Sequence, residues 1–121
     1  MFKIPKNDSK YYWTQHVIGK MAYYGLTPDR VKRIIRNPKR FEEGVVEDTI
    51  GVMSAPPGRD LAQKGGQPKK KKSYEIWVMY QRRGQKKIII SAWRYPGISP
   101  VGKQIPIPED ILEELRKERF T

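Results

Sequence analysis

The chain has 121 residues, 37% of them hydrophobic and 31% charged, which fits one domain with a modest core and leaves no room for a second. Its 25 Lys and Arg against 13 Asp and Glu give a net charge of +12, a field that favours polyanionic partners, nucleic acid first among them. Cysteine is absent and there is a single histidine, so disulfides and thiolate metal sites are excluded and no metal or other cofactor is expected.

The N-terminal segment MFKIPKNDSK has no apolar signal-like core, and no stretch approaches the roughly 18 apolar residues of a membrane helix. A cytoplasmic protein with no membrane association is the expectation. Tyr11, Tyr12 and Trp13 read as a short strand. Thr14 is then the N-cap of a helix running to Tyr24, with Gly25 as its stop. Val17, Met21 and Tyr24 follow the spacing of a buried stripe, with Ile18 and Ala22 beside it. His16, Lys20 and Tyr23 line a neighbouring face.

Thr27, Pro28 and Asp29 form a strong start signal for a second helix. Val31, Ile34 and Ile35 face its core side, while Arg30, Lys32, Arg33 and Arg36 face outward until Asn37-Pro38 ends it. Residues 40–47 and 49–53 are β-prone and predict a hairpin around Glu47-Asp48. Residues 54–73 carry three prolines, three glycines and six bases with little to bury, the composition of a mobile basic loop that includes Lys69, Lys70, Lys71 and Lys72.

From Tyr74 to Arg82 two apolar rows alternate, which predicts a central strand covered on both faces. A turn at Arg83-Gly84-Gln85 leads to a partner strand from Lys86 to Tyr95. There Ile88, Ile90 and Ala92 alternate with Ile89, Ser91, Trp93 and Tyr95. After a proline-punctuated connector, residues 109–119 form a helix with Ile111, Leu112 and Leu115 on one side, acids in its first turn and bases in its last. Residues 109–121 hold five acids and three bases, which leaves 22 bases against eight acids, a net +14, in residues 1–108. The expected fold class is therefore α+β, with two N-terminal helices on an antiparallel sheet of about four strands and a C-terminal helix appended.

Three short segments carry a family resemblance: His16-Val17-Ile18-Gly19-Lys20-Met21, then Gly25-Leu26-Thr27-Pro28-Asp29-Arg30-Val31 with Asn37-Pro38, and the strand Ile88-Ile89-Ile90-Ser91-Ala92-Trp93. Together they resemble an uncharacterised bacterial domain family whose first helix reads His-Ala-x-x-Arg-Met. That family is related to toxins of the RelE and BrnT type, in the barnase, EndoU, colicin and RelE group of metal-independent ribonuclease folds. The resemblance implies an RNA-directed protein of RelE-like toxin type, with RNA, the ribosome or an acidic antitoxin as partner. Lys20 stands where Arg is usual, which keeps the charge but loses the bidentate fork, and Tyr24 stands where a second Arg is common.

Cleaving RNA without metal needs a base for the 2′-hydroxyl, cations for the phosphorane and an acid for the leaving oxygen. His16 is the candidate base and Lys20 the phosphate contact, with Arg82 or Arg94 for further charge and Ser91 or Trp93 to orient the sugar or stack a base. Tyr23, Tyr80 and Tyr95 are the candidates for the acid. The competing reading makes His16 a structural histidine bonded to the sheet and makes the tryptophans core residues. Nucleic-acid contacts are expected from Arg30, Arg33, Arg36, Lys69 to Lys72, Arg83, Lys86, Lys87 and Trp93, chiefly through phosphates. A non-catalytic RNA- or ribosome-binding module, or a domain docking an acidic protein, would use the same cations.

Overall fold

The computed structural model describes residues 4–43, 48–54, 74–97 and 106–117. In chain order the elements are β1 (Tyr11–Trp13), α1 (Gln15–Tyr24), α2 (Pro28–Arg36), β2 (Arg40–Glu43), β3 (Thr49–Ser54), β4 (Tyr74–Arg83), β5 (Lys86–Pro96) and α3 (Glu109–Lys117). All five strands join one sheet in the order β1-β5-β4-β3-β2, so β4 is central as its two apolar rows required. The expected α+β class and the packing of the N-terminal helices on the sheet are present. The sheet itself is mixed and not antiparallel, because β1 pairs parallel to β5 through Tyr11–Lys87, Tyr12–Ile88 and Trp13–Ile89. Nothing local sets the direction or sheet membership of a three-residue edge strand whose partner lies 76 positions on, so the expected sheet of about four antiparallel strands gives way to five strands with one parallel pair.

Both N-terminal helices start on a threonine in extended conformation. Thr14 Oγ1 accepts from Val17 N and Thr27 Oγ1 from Arg30 N, each satisfying an amide that the first helical turn leaves unpaired. Gly25 ends α1 in the left-handed region at φ 70°, a conformation that costs glycine little, and Leu26 N closes the turn on Met21 O at 2.8 Å.

Helices cover the sheet on both faces. Against the first face α1 and α2 bury Val17, Met21, Val31, Ile34 and Ile35 on Val52, Ile76, Val78, Tyr80, Ile89 and Ala92. On the second face, Ile111 of α3 packs with Met53, Trp77, Met79, Ile90 and Trp93, and the two indoles stack with centroids 6.4 Å apart. Ala22, expected beside the buried stripe of α1, is instead exposed, and Tyr24 is only half-buried. Glu47, the basic segment 55–73, residues 118–119 of the expected C-terminal helix and the side chain of Leu115 lie outside the described residues.

Strict alternation fails in β5. Tyr80 pairs with Ile89 and Met79 with Ser91, so Ile90 is an extra residue, a β-bulge. As a result Ile89 and Ala92 share the first face, while Ile90 and Trp93 share the second. Three consecutive isoleucines carry no signal for such a slip. Thr14 fastens α1 at this point, its Oγ1 lying 3.1 Å from Ile89 O and 3.0 Å from Ile90 O. Beyond Trp13 the chain leaves the sheet as α1, which runs beside β5 where β1 stops.

Candidate functional site

That position lets α1 serve both sides of the sheet. Val17 and Met21 enter the first core, while His16 and Lys20 turn toward α3. Ser91 lies on the second face by alternation from Trp93, and the His16 Nε2 to Ser91 Oγ distance is 2.9 Å. His16 Nδ1 lies 2.6 Å from Glu114 Oε2 of α3. The acceptor-only carboxylate requires the proton on Nδ1, so in the neutral imidazole Nε2 accepts from the Ser91 hydroxyl. Both residues are buried, Ser91 completely.

Lys20, one turn along α1, completes the group. Its Nζ lies 3.3 Å from Glu114 Oε1 and 3.1 Å from Asp110 Oδ2. One carboxylate therefore bridges two bases, with one oxygen on each. Partial desolvation pulls the Lys20 ammonium down, but its hydrogen bonds to Asp110 and Glu114 outweigh it and hold its pKa above the ordinary lysine value. Asp110 is correspondingly lowered, mainly by its hydrogen bond from Lys20.

The sequence reading nominated His16, Lys20 and Ser91, and the fold brings these three together. Arg82 and Arg94 lie elsewhere. Arg82 pairs with Lys87 at the exposed end of the β4–β5 hairpin, four positions along β5 from Ser91, or about 13 Å. Arg94 is on the opposite sheet face, where its Nε donates to Tyr24 O at 2.9 Å and its guanidinium lies 5.2 Å from the centre of the Tyr74 ring. Strand residues an odd number of positions apart point to opposite faces, so Arg94, three positions beyond Ser91, cannot join it. Trp93 is fully buried against Trp77 and donates through Nε1 to Pro106 O at 3.0 Å, an arrangement that leaves no face for a base. Of the candidate acids, Tyr80 is buried in the first core and Tyr23 is 78% exposed. Glu114 was not a sequence candidate. Its signal was an i, i+4 acid pair, Asp110 and Glu114, in a segment where acids outnumber bases.

A second cluster lies along α2. Arg30, Arg33 and Lys39, with Thr27, Ile34, Asn37 and Ser54, line an open groove of about 600 Å³ without an acid among the described lining residues. Arg30 also approaches Tyr74 Oη at 3.5 Å. That guanidinium lowers the Tyr74 phenol from its usual value, against an opposing contribution from burial, and Arg94 adds to the lowering. Arg36 is exposed at the end of the same helix. Arg83 is exposed and Lys86 and Lys87 are half-buried at the β4–β5 turn, whereas Lys69 to Lys72 lie outside the described residues.

Fold and site together define a mixed-sheet α+β domain with one basic groove open to solvent and one polar array closed beneath a helix. No family model, curated protein or solved structure matches the chain. Among the described residues no helix is long and apolar enough to cross a membrane, and no three His, Cys, Asp or Glu side chains are grouped to hold a metal ion.

Proposed function

We propose that this chain is an RNA-directed protein that grips phosphates through the α2 groove, in keeping with its resemblance to RelE-like toxins. The supporting observation is that Arg30, Arg33 and Lys39 line one open groove with no acid among its described residues. Guanidinium forks there match phosphate oxygens, and Thr27, Asn37 and Ser54 add neutral hydrogen-bonding groups. Such contacts position a backbone and read little sequence.

A second reading, metal-independent RNA cleavage with His16 as base and Lys20 on the phosphate, requires α3 to withdraw, because in this arrangement Ser91 and Glu114 engage both ring nitrogens of the buried His16. One experiment separates the two. Wild type, Arg30→Ala/Arg33→Ala and His16→Ala are incubated in chelator with single-stranded and structured RNA, and retention and cleavage are read on the same gels. Retention by wild type that the double variant loses is the expected result, and equal retention by both would remove the groove from the reading. Cleavage by wild type but not by His16→Ala would establish the ribonuclease.

A further inference from the structure

The sides of His16 and Lys20 that approach α3 are fully used, and both are used by carboxylates of that helix. Asp110 and Glu114 stand one turn apart on α3 and deliver oxygens to His16 Nδ1 and Lys20 Nζ at 2.6, 3.1 and 3.3 Å. A phosphate group meets a lysine and an imidazolium in this same way, with separate oxygens on separate donors. Ser91 meanwhile holds the far nitrogen of the ring, so the imidazole stays oriented whatever occupies its other side. We propose that His16, Lys20 and Ser91 form a latent phosphate-binding site that the carboxylates of α3 occupy in cis, so that phosphate binding and α3 docking compete.

Three features carry this. The His16 side chain is only 2% exposed, yet its α3 partner Glu114 is 45% exposed and Asp110 62%, so the occupying groups reach in from the rim and are not built into the core. The occupying helix belongs to residues 109–121, where five acids outnumber three bases in a chain whose net charge is +12. Ser91, Trp93 and the β5 bulge belong to the sheet, so withdrawing α3 leaves the imidazole anchor in place. With Glu114 withdrawn, Nδ1 of His16 faces the opening beside Lys20 and Ser91 becomes a positioning residue for the ring. The inference rests on the RNA-directed reading only for which phosphate compound is the natural ligand.

Because His16 is the only histidine, its Cε1–H proton gives one unambiguous NMR signal. Wild type and Asp110→Asn/Glu114→Gln are titrated at constant pH and low salt with inorganic phosphate in one arm and a short single-stranded RNA in the other. The expected result is a saturable shift of the His16 signal in the variant, with an apparent affinity at least about tenfold tighter than in wild type. A shift by RNA at concentrations where phosphate is silent assigns the site to a phosphodiester chain, and a shift by phosphate alone to a small phosphate compound. An identical response, or identical silence, in wild type and variant overturns the proposal. Near-UV circular dichroism of the Trp77–Trp93 stack reports folding. Should the double variant not fold, Asp110→Asn alone alters a largely exposed side chain and must shift the titration in the same direction, or the proposal fails. The imidazole signal is independent of RNA retention through α2, so either reading can fail without the other.

Discussion

Thr14→Ala tests how α1, and with it His16, is held in place. Thr14 and Thr27 are matched N-caps, with ψ of 157° and 154° and cap hydrogen bonds of 3.1 and 3.2 Å to Val17 N and Arg30 N. Losing either cap costs about 1 kcal/mol. Only Thr14 also donates to the bulge, sharing its hydroxyl proton between the carbonyls of Ile89 and Ile90 at 3.1 and 3.0 Å. That buried bond is worth about a further 1 kcal/mol, and its loss leaves a carbonyl short of a partner. Thr27 is exposed, so water can replace part of what its cap supplies. Thr14→Ala should therefore cost about 2 kcal/mol and Thr27→Ala about 1 kcal/mol or less. The gap corresponds to about 4 °C in melting temperature for a chain of this size. Urea denaturation followed by tryptophan fluorescence measures both, and an unchanged m-value confirms that the cost lies in the native state. Thr14→Ser, which keeps the hydroxyl, should recover most of the loss. Equal costs for the two alanine variants would refute the claim that Thr14 pins the helix to the sheet.

Other outcomes follow from the same geometry. If the three groove cations each meet one phosphate, log affinity for single-stranded RNA should fall against log salt with a slope of about −2, and Arg30→Ala/Arg33→Ala should bring it to about −0.7 by fluorescence anisotropy. Gly25→Ala should cost about 1 kcal/mol in urea denaturation, since a Cβ there meets no neighbouring atom and only the backbone at φ 70° resists it. Asp110 is lowered by Lys20, so its contribution is present above the usual carboxylate range and is lost as pH falls through its depressed native value. The melting-temperature difference between wild type and Asp110→Asn, small because the acid of the pair is exposed, should hold at neutral pH and vanish in strong acid. Lys20 is raised, so its share is complete below the usual lysine value and is lost as pH rises through the higher native one.

The helices were legible because their ends carry chemistry that admits few alternatives. Thr14, Thr27, Pro28 and Gly25 stand where caps require them, and the apolar spacing between them fixed the inward faces of Val17, Met21, Val31, Ile34 and Ile35. Strands β4 and β5 were legible for their length and content. The bulge was not, since Ile88, Ile89 and Ile90 look alike in either register, and the face of every residue before it depended on the slip. The site shows the same division. Helical spacing made Lys20 the neighbour of His16, but the meeting with Ser91 spans 75 positions and the meeting with Glu114 depends on how α3 returns to the sheet. Arg94, expected to add charge from the sheet, lies across it from Ser91, where it bonds Tyr24 O.

The two basic clusters differ in what neutralises them, and this bears on how the chain meets an anion. Residues 1–108 carry +14, and the acids that follow are not spread over that surface. Two of them converge on Lys20 and His16 on the second face, while Arg30 and Arg33 on the first stay in an open groove. Exposed ion pairs contribute only about 0–1 kcal/mol, whereas complete burial of one isoleucine side chain contributes about 1.5–3 kcal/mol. Among the described residues Ile111, wholly buried beside Trp77 and Trp93, is therefore the main apolar attachment of α3, and Asp110 with Lys20 chiefly sets where the helix rests. Rim charges that align such a helix can yield to a competing anion while Ile111 stays seated on the sheet. On the proposed reading a polyanion engages Arg30 and Arg33 in the open α2 groove and reaches His16 by displacing Glu114.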